Sequence, residues 1–85
     1  MLSAAEAAKR AADHVNAMTG RAAECIVGVE RAGDDGWRIC VEVVETRRIP
    51  DSADILAIYD AEVDADGELV SYRRVRRYPR GHVDR

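Results

Sequence analysis

The stretch Trp37-Arg38-Ile39-Cys40-Val41-Glu42-Val43 decides the fold, because Trp37, Ile39, Val41 and Val43 alternate with Arg38, Cys40 and Glu42. A period of two puts the four apolar side chains on one face of an extended strand. The same period runs upstream, where Cys25, Val27 and Val29 alternate with Glu24, Ile26 and Glu30. Ala32-Gly33-Asp34-Asp35-Gly36 links the two strands as a turn. Pairing across that link faces Val29 with Ile39, Val27 with Val41 and Cys25 with Val43, and sets Glu30 against Arg38 as a favourable cross-strand charge pair. This register puts Cys25 and Cys40 on opposite faces of the sheet, which excludes a disulfide between them and predicts two free thiols.

Downstream, the connection from Thr46 to Asp54 contains Pro50-Asp51-Ser52, which interrupts pairing. Ile55, Ala57, Tyr59, Ala61 and Val63 then form another alternating face. An antiparallel register sets Val43 against Ala57, Val41 against Tyr59 and Trp37 against Val63. Asp66-Gly67 is a hairpin signal. It leads into a fourth strand from Leu69 to Tyr78, ended by Pro79 and Gly81, whose register stays open by one residue.

A helix precedes the strands. Ser3-Ala4-Ala5-Glu6 reads as a capping box, and Thr19-Gly20 as the stop. Between them Ala4, Ala8, Ala11, Val15 and Met18 recur at steps of three and four, giving a narrow, alanine-rich apolar stripe. The order α-β-β-β-β with short connections predicts an α+β fold. An N-terminal helix packs on a four-stranded antiparallel meander, with the Trp37 face favoured as the covered one. The boundaries expected are a single domain over 1–85, a helix at about 3–18, strands at about 23–31, 37–46, 54–64 and 68–78, and a short basic tail at 79–85.

Composition bounds what such a chain can do. Its 85 residues allow one small domain with a thin core. The net charge of −3 hides an asymmetry: residues 1–70 hold 7 basic and 15 acidic groups, and residues 71–85 hold 6 basic and 1 acidic. No apolar run approaches the ~18–20 residues of a membrane helix. No secretory signal opens the chain, so a reducing cytoplasm is the expected compartment.

Little in the sequence points to catalysis. His14 and His82 read as solvated. Of the carboxylate pairs Asp34/Asp35, Asp64/Asp66 and Glu42/Glu45, the first two sit in turns, where aspartate serves the backbone, and nothing indicates the cleft that a catalytic pair needs. Asp64-Ala65-Asp66-Gly67-Glu68 is similar to part of a calcium loop but lacks the later ligands and the flanking helices. No zinc-ligand spacing and no phosphate-binding glycine loop occurs, so no metal and no cofactor is expected.

Two features point to partners instead. Ile26, Val44, Leu56 and Ile58, together with Cys40, fall on the face away from the predicted core. There they form an apolar surface on which a partner or a second copy in a homodimer could pack. Tyr72-Arg73-Arg74-Val75-Arg76-Arg77-Tyr78 is the other feature. Alternation places Arg74 and Arg76 on one face with Tyr72 and Tyr78, and Arg73 and Arg77 on the other. Such a strand can neutralise the acidic remainder of the chain, bind an acidic protein surface, or, third in order, bind nucleic acid.

The ordered set Gly36-Trp37-Arg38, Val41-Glu42-Val43-Val44-Glu45, Arg48-Ile49-Pro50-Asp51, Asp54-Ile55-Leu56-Ala57, Tyr59, Asp64-Ala65-Asp66-Gly67-Glu68-Leu69 and Tyr72-Arg73-Arg74-Val75-Arg76-Arg77-Tyr78 resembles the gas vesicle protein O family. The resemblance covers about residues 21–81. It implies a non-enzymatic accessory protein, cytoplasmic and gas vesicle associated, that assists assembly of the gas vesicle shell without a cofactor. The implied partners are the shell protein, other accessory proteins and an AAA-type ATPase, with no membrane. Relatives often carry a longer polar amino-terminal extension, and this chain begins almost at the domain. The alternative reading is a small nucleic-acid-binding regulator using the same basic strand.

Overall fold

In the computed structural model, which describes residues 2–47, 49 and 54–81, helix α1 (Ala4–Thr19) precedes strands β1 (Ala23–Ala32), β2 (Gly36–Thr46), β3 (Ile55–Val63) and β4 (Leu69–Pro79). The strands form one antiparallel sheet in the order β1-β2-β3-β4. This is the expected α+β architecture. Pro50, Asp51 and Ser52 of the predicted interruption, and His82 of the tail, lie outside the described residues.

The helix starts and stops where its local chemistry dictates. The Ser3 hydroxyl accepts from the Glu6 N–H while the Glu6 carboxylate accepts from the Ser3 N–H, completing the capping box. At the other end Gly20 takes φ 74° and its N–H donates to the Asn16 carbonyl. The buried stripe differs from the one expected. Ala7, Ala11 and Val15 are fully buried, whereas Ala4 and Met18 are exposed and Ala8 is half-buried. A spacing of four throughout brings Ala7 under the helix, and the two small alanines let the helix lie close to the sheet. Its seat is the Trp37 face, where Ile39, Val41, Val43, Ala57, Ala61 and Val63 complete the core.

The register between β2 and β3 is the expected one: Val43 faces Ala57, Val41 faces Tyr59 and Trp37 faces Val63. Between β1 and β2 it matches only near the turn, with Val29 facing Ile39 and Glu30 facing Arg38. An extra residue at Val27 then slips the pairing, so Ile26, not Val27, faces Val41, and Cys25 faces Glu42. Two expectations change. Ile26 lies on the helix side of the sheet. Cys25 shares the outer face with Cys40, so the geometric argument against a disulfide fails, although both thiols are free.

The hairpin after β3 docks on the helix. Gly67 has φ 83°, and a Cβ there would meet Leu2 at 3.0 Å and Arg10 at 3.2 Å. His14 is half-buried and its Nε2–H donates to the Gly67 carbonyl at 2.8 Å. The expectation of a solvated His14 is corrected accordingly. The Asp64 carboxylate accepts from the Asp66 and Glu68 N–H groups, the turn role that aspartate was expected to play.

Candidate partner-binding strand

Strand β4 is an edge strand, paired only with β3. Extra residues at Val70 and Val75 slip its pairing twice. The second slip resolves the open register and redistributes the arginines. Tyr72 faces Ala61, Arg74 faces Tyr59 and Arg77 faces Ala57, all on the helix side. Arg73 faces Asp60, Arg76 faces Ile58 and Tyr78 faces Leu56, all on the outer side. The expected grouping of Arg74 and Arg76 with both tyrosines is therefore corrected. Simple alternation fails because Val75 adds one residue between them.

On the helix side Arg74 and Arg77 close on Glu45, at 2.9 and 2.7 Å, one guanidinium to each carboxylate oxygen. Glu45 is itself the extra residue of a slip between Val44 and Thr46, and it lies on the helix side with Arg74 and Arg77, the side that alternation from Val41 and Val43 gives it. The Tyr72 ring sits beside Tyr59, with centroids 6.1 Å apart.

On the outer side Arg76 lies over the Tyr78 ring at 5.1 Å. The Tyr78 hydroxyl donates to Glu42, a bond that pushes its pKa up to about 12, with burial and the Glu42 charge acting in the same direction. Past the strand end, Arg80 bonds Glu24 at 2.9 Å and lies 3.4 Å from the fully buried Asp54. Arg47 reaches the same Asp54 oxygen at 3.9 Å.

The apolar outer-face set does not stay together. Val44 and Leu56 are buried at 9% and 4% exposure, Ile58 is half-buried, and Ile26 is on the other face. Toward the opposite end the outer face is a polar concavity of about 680 Å³, crossed by Gly28, Cys40, Asp60 and Arg73. There Arg38 bridges Glu30 at 2.8 Å and Glu62 at 3.8 Å. The Cys40 thiol donates to Asp60 at 2.9 Å, which together with burial pushes its pKa up to about 11. Thiols held protonated in this way are poor nucleophiles and poor metal ligands. Among the described residues no group of three or more histidine, cysteine or acidic side chains is placed to hold a metal. No described helix is long and apolar enough to cross a membrane.

Two residues that matter here are not among the partner-binding residues expected from the sequence, Arg21 and Glu45. Arg21 follows the helix stop and reaches the Glu45 backbone carbonyl at 3.1 Å. The contact joins residues 24 positions apart, and nothing local in the sequence signals it.

Comparison with known proteins places this geometry in a lineage. Residues 1–84 match the family described as gas vesicle synthesis protein GvpO. The chain is 53% identical over 68 residues to gas vesicle protein O of Streptomyces sp. (strain CB03234), covering 80% of this chain and 52% of that protein. It is 42% identical over 60 residues to gas vesicle protein O of Haloferax mediterranei, covering 71% and 43%. To gas vesicle protein O1 of Halobacterium salinarum it is 40% identical over 52 residues, covering 61% and 44%. The chain thus spans about half the length of the curated relatives it matches. No solved structure matches it.

Proposed function

Since the chain belongs to the GvpO family of gas vesicle synthesis proteins, whose role lies in gas vesicle formation, we propose that it assists assembly of the vesicle shell by protein–protein contact and carries out no chemistry of its own. The observation that supports this reading is β4: an edge strand whose four consecutive-pair arginines, Arg73, Arg74, Arg76 and Arg77, are exposed on both faces of the sheet. Arginine-rich edges resist unspecific strand pairing while offering bidentate donors to carboxylates. An assembly factor that must hold a partner without aggregating with it needs both properties. On this reading the partners are other gas vesicle components, and the place of action is the cytoplasm and the growing vesicle.

A nucleic-acid-binding regulator is the weaker reading. The chain carries net −3, which suits it poorly to a polyanion. The deciding experiment scores gas vesicle yield by pressure-sensitive light scattering in a host lacking the gene. Rescue by the chain, and loss of rescue on changing Arg73, Arg74, Arg76 and Arg77 to glutamate in a variant still folded by circular dichroism, is the expected result. Normal vesicles without the gene, or full rescue by the charge-reversed chain, would end the proposal. Tight binding of DNA at low salt that falls steeply with salt would move the regulator to the front.

A further inference from the structure

Three guanidiniums converge on a single residue at the end of β2. Arg21 Nε donates to the Glu45 backbone carbonyl at 3.1 Å, Arg74 Nη1 to one carboxylate oxygen at 2.9 Å, and Arg77 Nε to the other at 2.7 Å. The Glu45 side chain is only 9% exposed, whereas those of Arg74 and Arg77 are 48% and 55% exposed. One carboxylate against three cations leaves the place positive. Both Glu45 oxygens are taken up, yet Arg74 and Arg77 keep further N–H donors that Glu45 does not use.

Glu45 therefore does more than neutralise. It holds two long side chains in fixed rotamers before a partner arrives, and that lowers the ordering cost of binding. Tyr72, its ring tilted against that of Tyr59, adds an amphipathic surface on the same side of the sheet. The helix leaves this place open, because α1 lies over β1, β2 and β3 and barely reaches β4. The outer-side arginines differ. Arg76 is stacked on Tyr78, and Arg73 faces the acidic Asp60 across the strand pair.

Resting on the reading of β4 as a protein-binding strand, we infer that its docking face is the helix-side shelf of Tyr72, Arg74 and Arg77 held by Glu45, and that the occupant is a carboxylate-rich segment of a partner protein. Charge complementarity selects that occupant. A short acidic segment meets only the shelf, whereas a nucleic acid would carry its continuous negative charge across the acidic remainder of the chain.

The test uses the full chain and a fluorescent oligoglutamate peptide, with oligoglutamine and oligodeoxythymidylate as comparison probes. Changing Arg74 and Arg77 to glutamine alone would leave Glu45 buried and unpaired. The informative variant is therefore the triple Glu45→Gln, Arg74→Gln, Arg77→Gln, with folding checked by circular dichroism. Loss of two charged donors should weaken oligoglutamate binding by about tenfold or more. The double variant Arg73→Gln, Arg76→Gln should stay within about twofold, since exposed charges away from the contact contribute little. Equal losses in both variants, or oligodeoxythymidylate bound as tightly as oligoglutamate, would overturn the inference. Vesicle yield separates this inference from the reading beneath it. Yield lost with the outer-side pair but kept with the triple variant sinks the shelf and spares the assembly role. Yield untouched by charge reversal of all four arginines sinks the assembly role itself.

Discussion

The central ladder pairs Trp37 through Val44 with Val63 through Leu56 in unbroken register and slips once, at its end, at Glu45, whereas each outer ladder slips twice. Burial explains the difference. Ile39, Val41, Val43, Ala57, Ala61 and Val63 are all fully buried beneath the helix. A one-residue slip between β2 and β3 would turn a whole set of them outward, so the register there is pinned. In β1 only Ala32 is buried, and in β4 no residue is. Extra residues at Glu24, Val27, Val70 and Val75 are therefore cheap, and they bend the edges away from unspecific pairing. The centre of the molecule specifies pairing by burial. Its edges use irregularity to aim charge.

That contrast is broken or kept by cross-strand neighbours. Ile39 on β2 and Val29 on β1 face each other, at 0% and 42% exposure. Ile39→Ala should cost about 2–5 kcal/mol, a large share of the stability of so small a chain, read as a fall in the urea midpoint. Val29→Ala should cost less than about 1 kcal/mol. Equal shifts in the two variants would mean that the edge is as tightly packed as the centre. The next effect in size comes from glycines. A Cβ at Gly36 would sit 2.7 Å from the Val63 carbonyl oxygen and 2.9 Å from that of Ala32, and backbone cannot move aside cheaply. Gly36→Ala should destabilise by about 1–3 kcal/mol. At Gly28, in the outer ladder, the Cβ would meet only Cys40 at an ordinary 3.5 Å. Gly28→Ala should be neutral or stabilise by up to about 1 kcal/mol, through fewer unfolded conformations. A thermal melt of each variant decides between these signs.

The same contrast marks what the sequence makes legible. Helix caps, the Asp66-Gly67 hairpin and the β2–β3 register all follow from local chemistry or from one buried face, and they stand as expected. The faces of Ile26, Cys25, Arg74 and Arg76 do not, because nothing in an exposed run such as Cys25-Ile26-Val27-Gly28 marks which residue is the extra one. Ile26 and Val27, both β-branched, compete for the single inward place opposite Val41, and the pairing of Gly28 with Cys40 settles it only in three dimensions. The candidate shelf shares this limit. Its arginines are conspicuous as a run, but their division between two faces depends on a slip at Val75 that alternation cannot register, and Glu45 meets Arg74 only across 29 positions of chain. His14 departs from the solvated role expected of it for another reason. Its partner is a carbonyl 53 positions away, in a turn that the helix covers.

The smallest effect separates the centre from the edge by chemistry rather than packing. Cys40, on β2, donates to Asp60 at 2.9 Å, and Cys25, on β1, to Glu42 at 3.5 Å. The hydrogen bond to Asp60, followed by burial, lifts Cys40 from 9.0 to about 11; burial first, then the Glu42 charge, raises Cys25. A raised thiol pKa means that the folded chain favours the neutral form. Between 9.0 and about 11 the unfolded chain therefore holds fewer protons than the folded one, so the stability from this bond is complete below the unfolded value and fades as pH climbs through about 11. In a Cys25→Ser background, the ultraviolet absorbance of the thiolate should titrate near that upper value, and Asp60→Ala should bring the midpoint back toward 9.0. A midpoint unmoved by Asp60→Ala would show that burial alone, without the cross-strand bond to β3, protects this thiol.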